Sequence, residues 1–147
     1  MMSARALAST TLLAVVALAS TAADASAAKR DVWVRSDIPA MFHGTWVRGD
    51  AACGAPLALT IEAKRVSFRN GPQAQRFDRL SVCKNCNDPS DKSGTLWVRA
   101  DAADGSPFLL YLTPGTKPLV TMNWRPLEDV LPKRYPLAPE PLQKCPG

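Results

Sequence analysis

The chain has 147 residues, 18 basic against 13 acidic side chains, a net charge of +5 and a 46% hydrophobic composition. Its single histidine, His43, excludes any metal site built on two imidazoles, and the length that remains behind an export leader suits one domain with a modest core.

The N-terminus starts with Arg5, continues through the apolar run at residues 12–19 and ends in small residues up to Ala28. This is the three-part layout of a secretory signal, with Ala25-Ser26-Ala27 as the small-x-small cleavage pattern. The expected signal is residues 1–27, leaving 120 residues. Ser9, Thr10, Thr11, Ser20 and Thr21 dilute the stretch below what a membrane span of roughly 20 apolar residues requires. No cysteine stands near the cleavage point to carry a lipid anchor, so the expected product is soluble and periplasmic or secreted.

A polar lead at residues 28–37 precedes an apolar, aromatic approach from Ile38 to Trp46, which enters the first strand over residues 45–49. Leu57, Leu59, Ile61 and Ala63 alternate with Ala58, Thr60 and Glu62. Val66 and Phe68 continue the pattern with Arg65, Ser67 and Arg69 on the other face, which predicts a hairpin turning at Ala63 and Lys64. Asn70-Gly71-Pro72-Gln73 is turn chemistry. The next strand, residues 75–83, slips phase between Phe77 and Leu80, which predicts a bulge or irregularity near Asp78 and Arg79. After a polar loop over 85–94 come Leu96, Val98 and Ala100; a turn at Asp104-Gly105; Phe108, Leu110 and Leu112; a turn at Pro114-Gly115; and Val120, Met122 and Trp124. Residues 127–131 read as a short helix with Pro126 in its first turn and Pro132 as its stop. The fold expected is all-β: an antiparallel meander of seven to eight strands over 38–131, closing into a small barrel in preference to a sandwich. The proline-rich tail, 132–147, is expected outside the ladder as a strap.

Cys53, Cys83, Cys86 and Cys145 all lie in the exported portion, where an oxidising compartment turns thiols into crosslinks. Of the three possible pairings the favoured one joins Cys53 to Cys145 and Cys83 to Cys86, because the first bond ties the tail to the start of the domain. That bond closes a loop of about 90 residues, for a contribution of roughly 4 kcal/mol. Cys83-Lys84-Asn85-Cys86 has the spacing of a redox dithiol, but a loop sequence follows it where that chemistry needs a helix N-terminus. The other two cysteines do not form the second close pair a zinc site would need. His43 sits at the edge of the aromatic approach. Asp88, Asp91, Asp101 and Asp104 belong to polar loops without the spacing of a helix-loop-helix calcium site. No cofactor is implied.

Charge is the more informative signal. Without Arg5 and Asp24 the exported chain has 17 basic and 12 acidic residues, and residues 64–84 alone have six basic residues against Asp78. Arg65, Arg69, Arg76 and Arg79 fall on two neighbouring strands and form the candidate ligand-binding ledge, since arginine forks suit phosphate and carboxylate groups. The plain alternative is a solvated strand face with positive gatekeepers.

Gly44-Thr45-Trp46 at the start of the first strand resembles the Gly-x-Trp opening of lipocalins and related closed barrels. That resemblance implies a tryptophan plugging one barrel end beneath a basic side chain from a late strand, with Arg125 as the expected partner. The wider layout of signal, Ile38-Pro39 to Trp46, Cys53, short alternating strands and terminal Cys145-Pro146 is similar to small uncharacterised secreted proteins of proteobacteria. It implies pairing of the early cysteine with the terminal one.

The function expected is noncatalytic binding of an anionic envelope lipid or glycan, or of a small ligand in the barrel interior. A protein-directed inhibitor or assembly factor is the alternative, and an enzyme or redox protein using Cys83 and Cys86 is third. Nucleic acid is the least expected anion, given export and no stacking-rich aromatic run.

Overall fold

A computed structural model describes residues 33–84, 86, 92–101, 105–126 and 129–147. The expected signal and Asp88, Asp91 and Asp104 lie outside these residues. Nine strands form one sheet: β1 (Gly44–Arg48), β2 (Leu57–Glu62), β3 (Arg65–Asn70), β4 (Gln73–Phe77), β5 (Leu80–Lys84), β6 (Leu96–Ala100), β7 (Phe108–Thr113), β8 (Leu119–Trp124) and β9 (Leu142–Lys144). Their order is β4-β3-β2-β1-β9-β8-β7-β6-β5, with every pairing antiparallel.

Consecutive strands β4 and β5 are thus the two ends of the sheet, although only Asp78 and Arg79 separate them in the chain. Two residues cannot span an open nine-stranded sheet, so the sheet curls until its ends meet. The result is a nearly closed barrel with one seam. Phe68 on β3 accordingly meets Phe108 on β7 and Trp124 on β8, each with ring centroids 5.1 Å away. The phase slip near Asp78 and Arg79 is resolved by a complete break, which lets both Phe77 and Leu80 pack on the core.

The hairpin turns follow local chemistry. Glu62 pairs with Arg65 across Ala63-Lys64, and Asn70 with Gln73 across Gly71-Pro72. Gly71 has φ +58°, a conformation side chains disfavour, and Pro72 has no amide to lose.

The ninth strand corrects the expectation for the tail. Prolines are absent from Leu142–Lys144, so this stretch keeps its donors and inserts between β1 and β8. Trp46, Val47 and Arg48 pair with Lys144, Gln143 and Leu142, and Leu142 also pairs with Val120. Because β9 is antiparallel to both neighbours, β1 and β8 run parallel to one another with the tail strand between them. The Cys53–Cys145 disulfide, with Cα atoms 5.4 Å apart, fastens the residue after β9.

The helix also differs from expectation. It spans α1 (Val130–Arg134) and includes Pro132, which stands in the first turn, where amides have no intrahelical acceptor. Leu127 and Glu128 lie outside the described residues.

The interior is filled by side chains. Trp46, Phe42, Phe68, Tyr135, Ile61, Leu110 and Leu112 are fully buried in one cluster. A 3₁₀ turn (Ala40–Phe42) brings Phe42 under the barrel, and the Trp46 indole donates to the Phe42 carbonyl at 2.9 Å. The lead docks by paired hydrogen bonds between Val34 and Val82 on the outer edge of β5, and by the Ile38 amide on the Ala63 carbonyl.

Candidate functional site

Strict alternation puts Val66 and Phe68 inside and Arg65, Ser67 and Arg69 outside. On β4 the register sets Arg76 opposite Ser67 and Ala74 opposite Arg69, so Arg65, Arg69 and Arg76 share the outer wall of β3 and β4. Arg79 is exposed at the seam, where its carbonyl accepts the Asp101 amide and its side chain makes no ion pair among the described residues. Thus Arg65, Arg69 and Arg76 share one wall, and Arg79 lies off the strands in the break between β4 and β5.

They are not equally available. Asp78 accepts from Arg65 Nε at 2.6 Å and from Arg76 Nε at 3.2 Å, so one carboxylate clamps two guanidinium groups. Arg65 also reaches Glu62 at 3.2 Å, and Arg69 donates to the Ala55 carbonyl at 3.3 Å. The Arg65 hydrogen bond, reinforced by the Arg76 charge, holds the Asp78 carboxyl below the usual carboxylate range. The same contact raises Arg65. Nothing in the sequence pattern marks Asp78 as this clamp; its place opposite Arg65 emerges only from the register.

Around this corner the surface is indented. A cleft of about 290 Å³ is lined by residues including Arg35, Asp37, Lys64, Asp78 and Arg79, and two shallower ones flank it on the Glu62 and Asp101 sides. Lys64 pairs with Asp37 and Arg35 with Asp101 at the rim.

The remaining candidates have structural partners. His43 Nε2 lies 2.7 Å from the Ile38 carbonyl, which joins the two ends of the approach segment. Cys83 is buried near the end of β5 and bonded to Cys86. No three histidine, cysteine or carboxylate side chains cluster for a metal among the described residues. Beside Gly44 the basic side chain is Lys144, whose Nζ donates to the Met41 carbonyl at 2.9 Å; Arg125 instead stands against Gly105.

Sequence reasoning passed over a second indentation. On the outer wall of β6–β8, a groove of about 510 Å³ is lined by residues including Trp33, Arg99, Tyr111, Asn123 and Trp124. The signal was present in the outward phase of Arg99, Tyr111 and Asn123, but Trp33 comes from the lead, 66 residues before Arg99.

The fold and its two surfaces define an antiparallel, disulfide-bonded, barrel-like β domain with a filled interior. No family model, no curated protein and no solved structure matches the chain.

Proposed function

We propose that the chain is a noncatalytic binding protein, exported to the periplasm or beyond, whose β3–β4 wall holds an anionic lipid or glycan of the envelope. The observation that carries this reading is a filled barrel beneath a wall where residues 57–80 supply Lys64, Arg65, Arg69, Arg76 and Arg79 against Glu62 and Asp78. A packed interior leaves the outer surface for ligands, and guanidinium groups on a rigid sheet can meet several anionic groups at once. Export is supported by the leader pattern and by two disulfides.

The test is adsorption of the purified protein to phosphatidylcholine vesicles with and without phosphatidylglycerol, and to an immobilised acidic polysaccharide, across a salt series. Replacing Arg65, Arg69, Arg76 and Arg79 by serine is expected to abolish a binding term that weakens as salt rises. Among single changes Arg79→Ser has the largest effect, since Arg65 and Arg76 already share Asp78. Asp78→Asn strengthens adsorption by freeing both. Unchanged, salt-insensitive adsorption by the fourfold variant overturns the reading.

A protein-directed role is the second reading, favoured by the outer edge of β4, which has no strand neighbour among the described residues. Strand addition there would give a stoichiometric complex that Ala74→Pro weakens.

A further inference from the structure

The groove on the opposite wall has a different chemistry from the arginine face. On β6 and β7, Trp97 pairs with Tyr111 and Arg99 with Leu109; on β7 and β8, Leu109 pairs with Asn123. The Trp97 and Tyr111 rings meet edge to face at 5.2 Å, which fixes the tyrosine on the wall. From the lead, Trp33 covers the guanidinium of Arg99, whose central carbon lies 4.2 Å from the ring centroid. The docking of Val34 on Val82 holds that tryptophan in place.

Two ring systems, those of Trp33 and Tyr111, therefore line one groove with the Arg99 guanidinium and the Asn123 carboxamide, beside Trp124, whose ring packs inward on Phe68. Asn123 Nδ2 donates to the Tyr111 oxygen at 3.3 Å, which leaves the phenolic proton and the Asn123 carbonyl to face a ligand. Arg99 makes no ion pair among the described residues; stacked on Trp33, it keeps its charge and the N–H edge of its fork. A pyranose ring has C–H faces that stack on aromatic rings and hydroxyl groups around its rim that bond to planar polar side chains. A carboxylate on that ring matches the arginine fork in charge and in shape.

We propose that this groove binds an acidic saccharide, a chain containing hexuronate units, with Trp33 and Tyr111 as stacking platforms and Arg99 as the carboxylate receptor. An acidic peptide fits less well. Strands β6, β7 and β8 each have a neighbour on both sides, so the groove offers no free main-chain edge for an extended peptide to extend the sheet. This site is separate from the β3–β4 wall, so the fourfold arginine variant retains it and either reading can fail alone.

The experiment is tryptophan fluorescence and calorimetric titration of the purified protein with oligogalacturonate, with a neutral maltooligosaccharide of equal length and with oligoglutamate. Oligogalacturonate is expected to bind about tenfold more tightly than either comparison ligand, the increment of one well-placed charge contact. Arg99→Gln should remove the preference for the charged sugar. Trp33→Ala should weaken both sugars about tenfold, with Tyr111→Phe, which keeps the ring, as the variant that alters only the phenol's hydrogen bonds. Circular dichroism and melting check that each variant is folded. No binding of oligogalacturonate, oligoglutamate binding as tightly, or a charge preference that survives Arg99→Gln in a folded protein would each overturn the proposal.

Discussion

Removing the Cys53–Cys145 bond by the double change to alanine should cost more stability than any pair of substitutions in the exposed loops. The bond spans 92 residues, and closing a loop of that length in the unfolded chain is worth about 4.6 kcal/mol at 25 °C in the chain-entropy account. For a domain of this size, that corresponds to a fall in Tm of roughly 15–20 °C. A native-state consequence adds to it. Strand β9 is three residues long and meets β8 at the single pair Val120–Leu142, so the covalent anchor at Cys145 guards the junction between β1 and β8. Loss of the anchor should let the tail fray, leaving two more strand edges open to solvent. The assays are thermal and urea unfolding without reductant, with hydrogen exchange at the Cys145 amide, which donates to the Thr45 carbonyl at 2.8 Å. The Cys83–Cys86 pair is the internal comparison: its separation is three residues, and the same account gives about 2 kcal/mol. A Cys53/Cys145 double variant that melts within about 3 °C of the parent, with the backbone amide at position 145 still protected, would refute both the entropy reckoning and the role given to the tail.

Two other predictions concern the charged wall and the buried Trp46. Asp78 is depressed by Arg65 and Arg76, so its contribution is complete above the ordinary carboxylate range and is lost as pH falls through its lowered value. Because the group is exposed the effect is small. Asp78→Asn should flatten the acid side of the stability profile and leave neutral-pH melting nearly unchanged, while NMR titration of Asp78 in the parent shows a midpoint below that of a free aspartate. Trp46→Ala removes a fully buried indole and its bond to the Phe42 carbonyl, a loss of about 3–5 kcal/mol that denaturant unfolding would register.

Much of the architecture was legible in residue order because β structure with one buried face writes itself at period two. Val66 and Phe68 against Arg65 and Arg69, or Leu96 and Val98 against Trp97 and Arg99, state which side faces inward before any partner is known. The two-residue turns at Ala63-Lys64 and Gly71-Pro72 were equally local, since turn chemistry depends on the φ preferences of adjacent residues.

Long-range placement was not legible in this way. Leu142–Lys144 is too short and too polar to announce a strand, and it becomes one only because β1 and β8 arrive side by side in the same direction with a space between them. Arg65, Arg69 and Arg76 could be assigned to neighbouring strands from order alone, but that Arg79 would fall in the break after β4 and that Asp78 would hold Arg65 and Arg76 depended on the tertiary structure. The groove of Trp33, Arg99, Tyr111 and Asn123 joins the lead to three separate strands. Alternation determines the face a side chain takes, an intrinsic consequence of the pleat; curvature and strand order decide which faces meet, and those depend on the packing energy of the whole barrel.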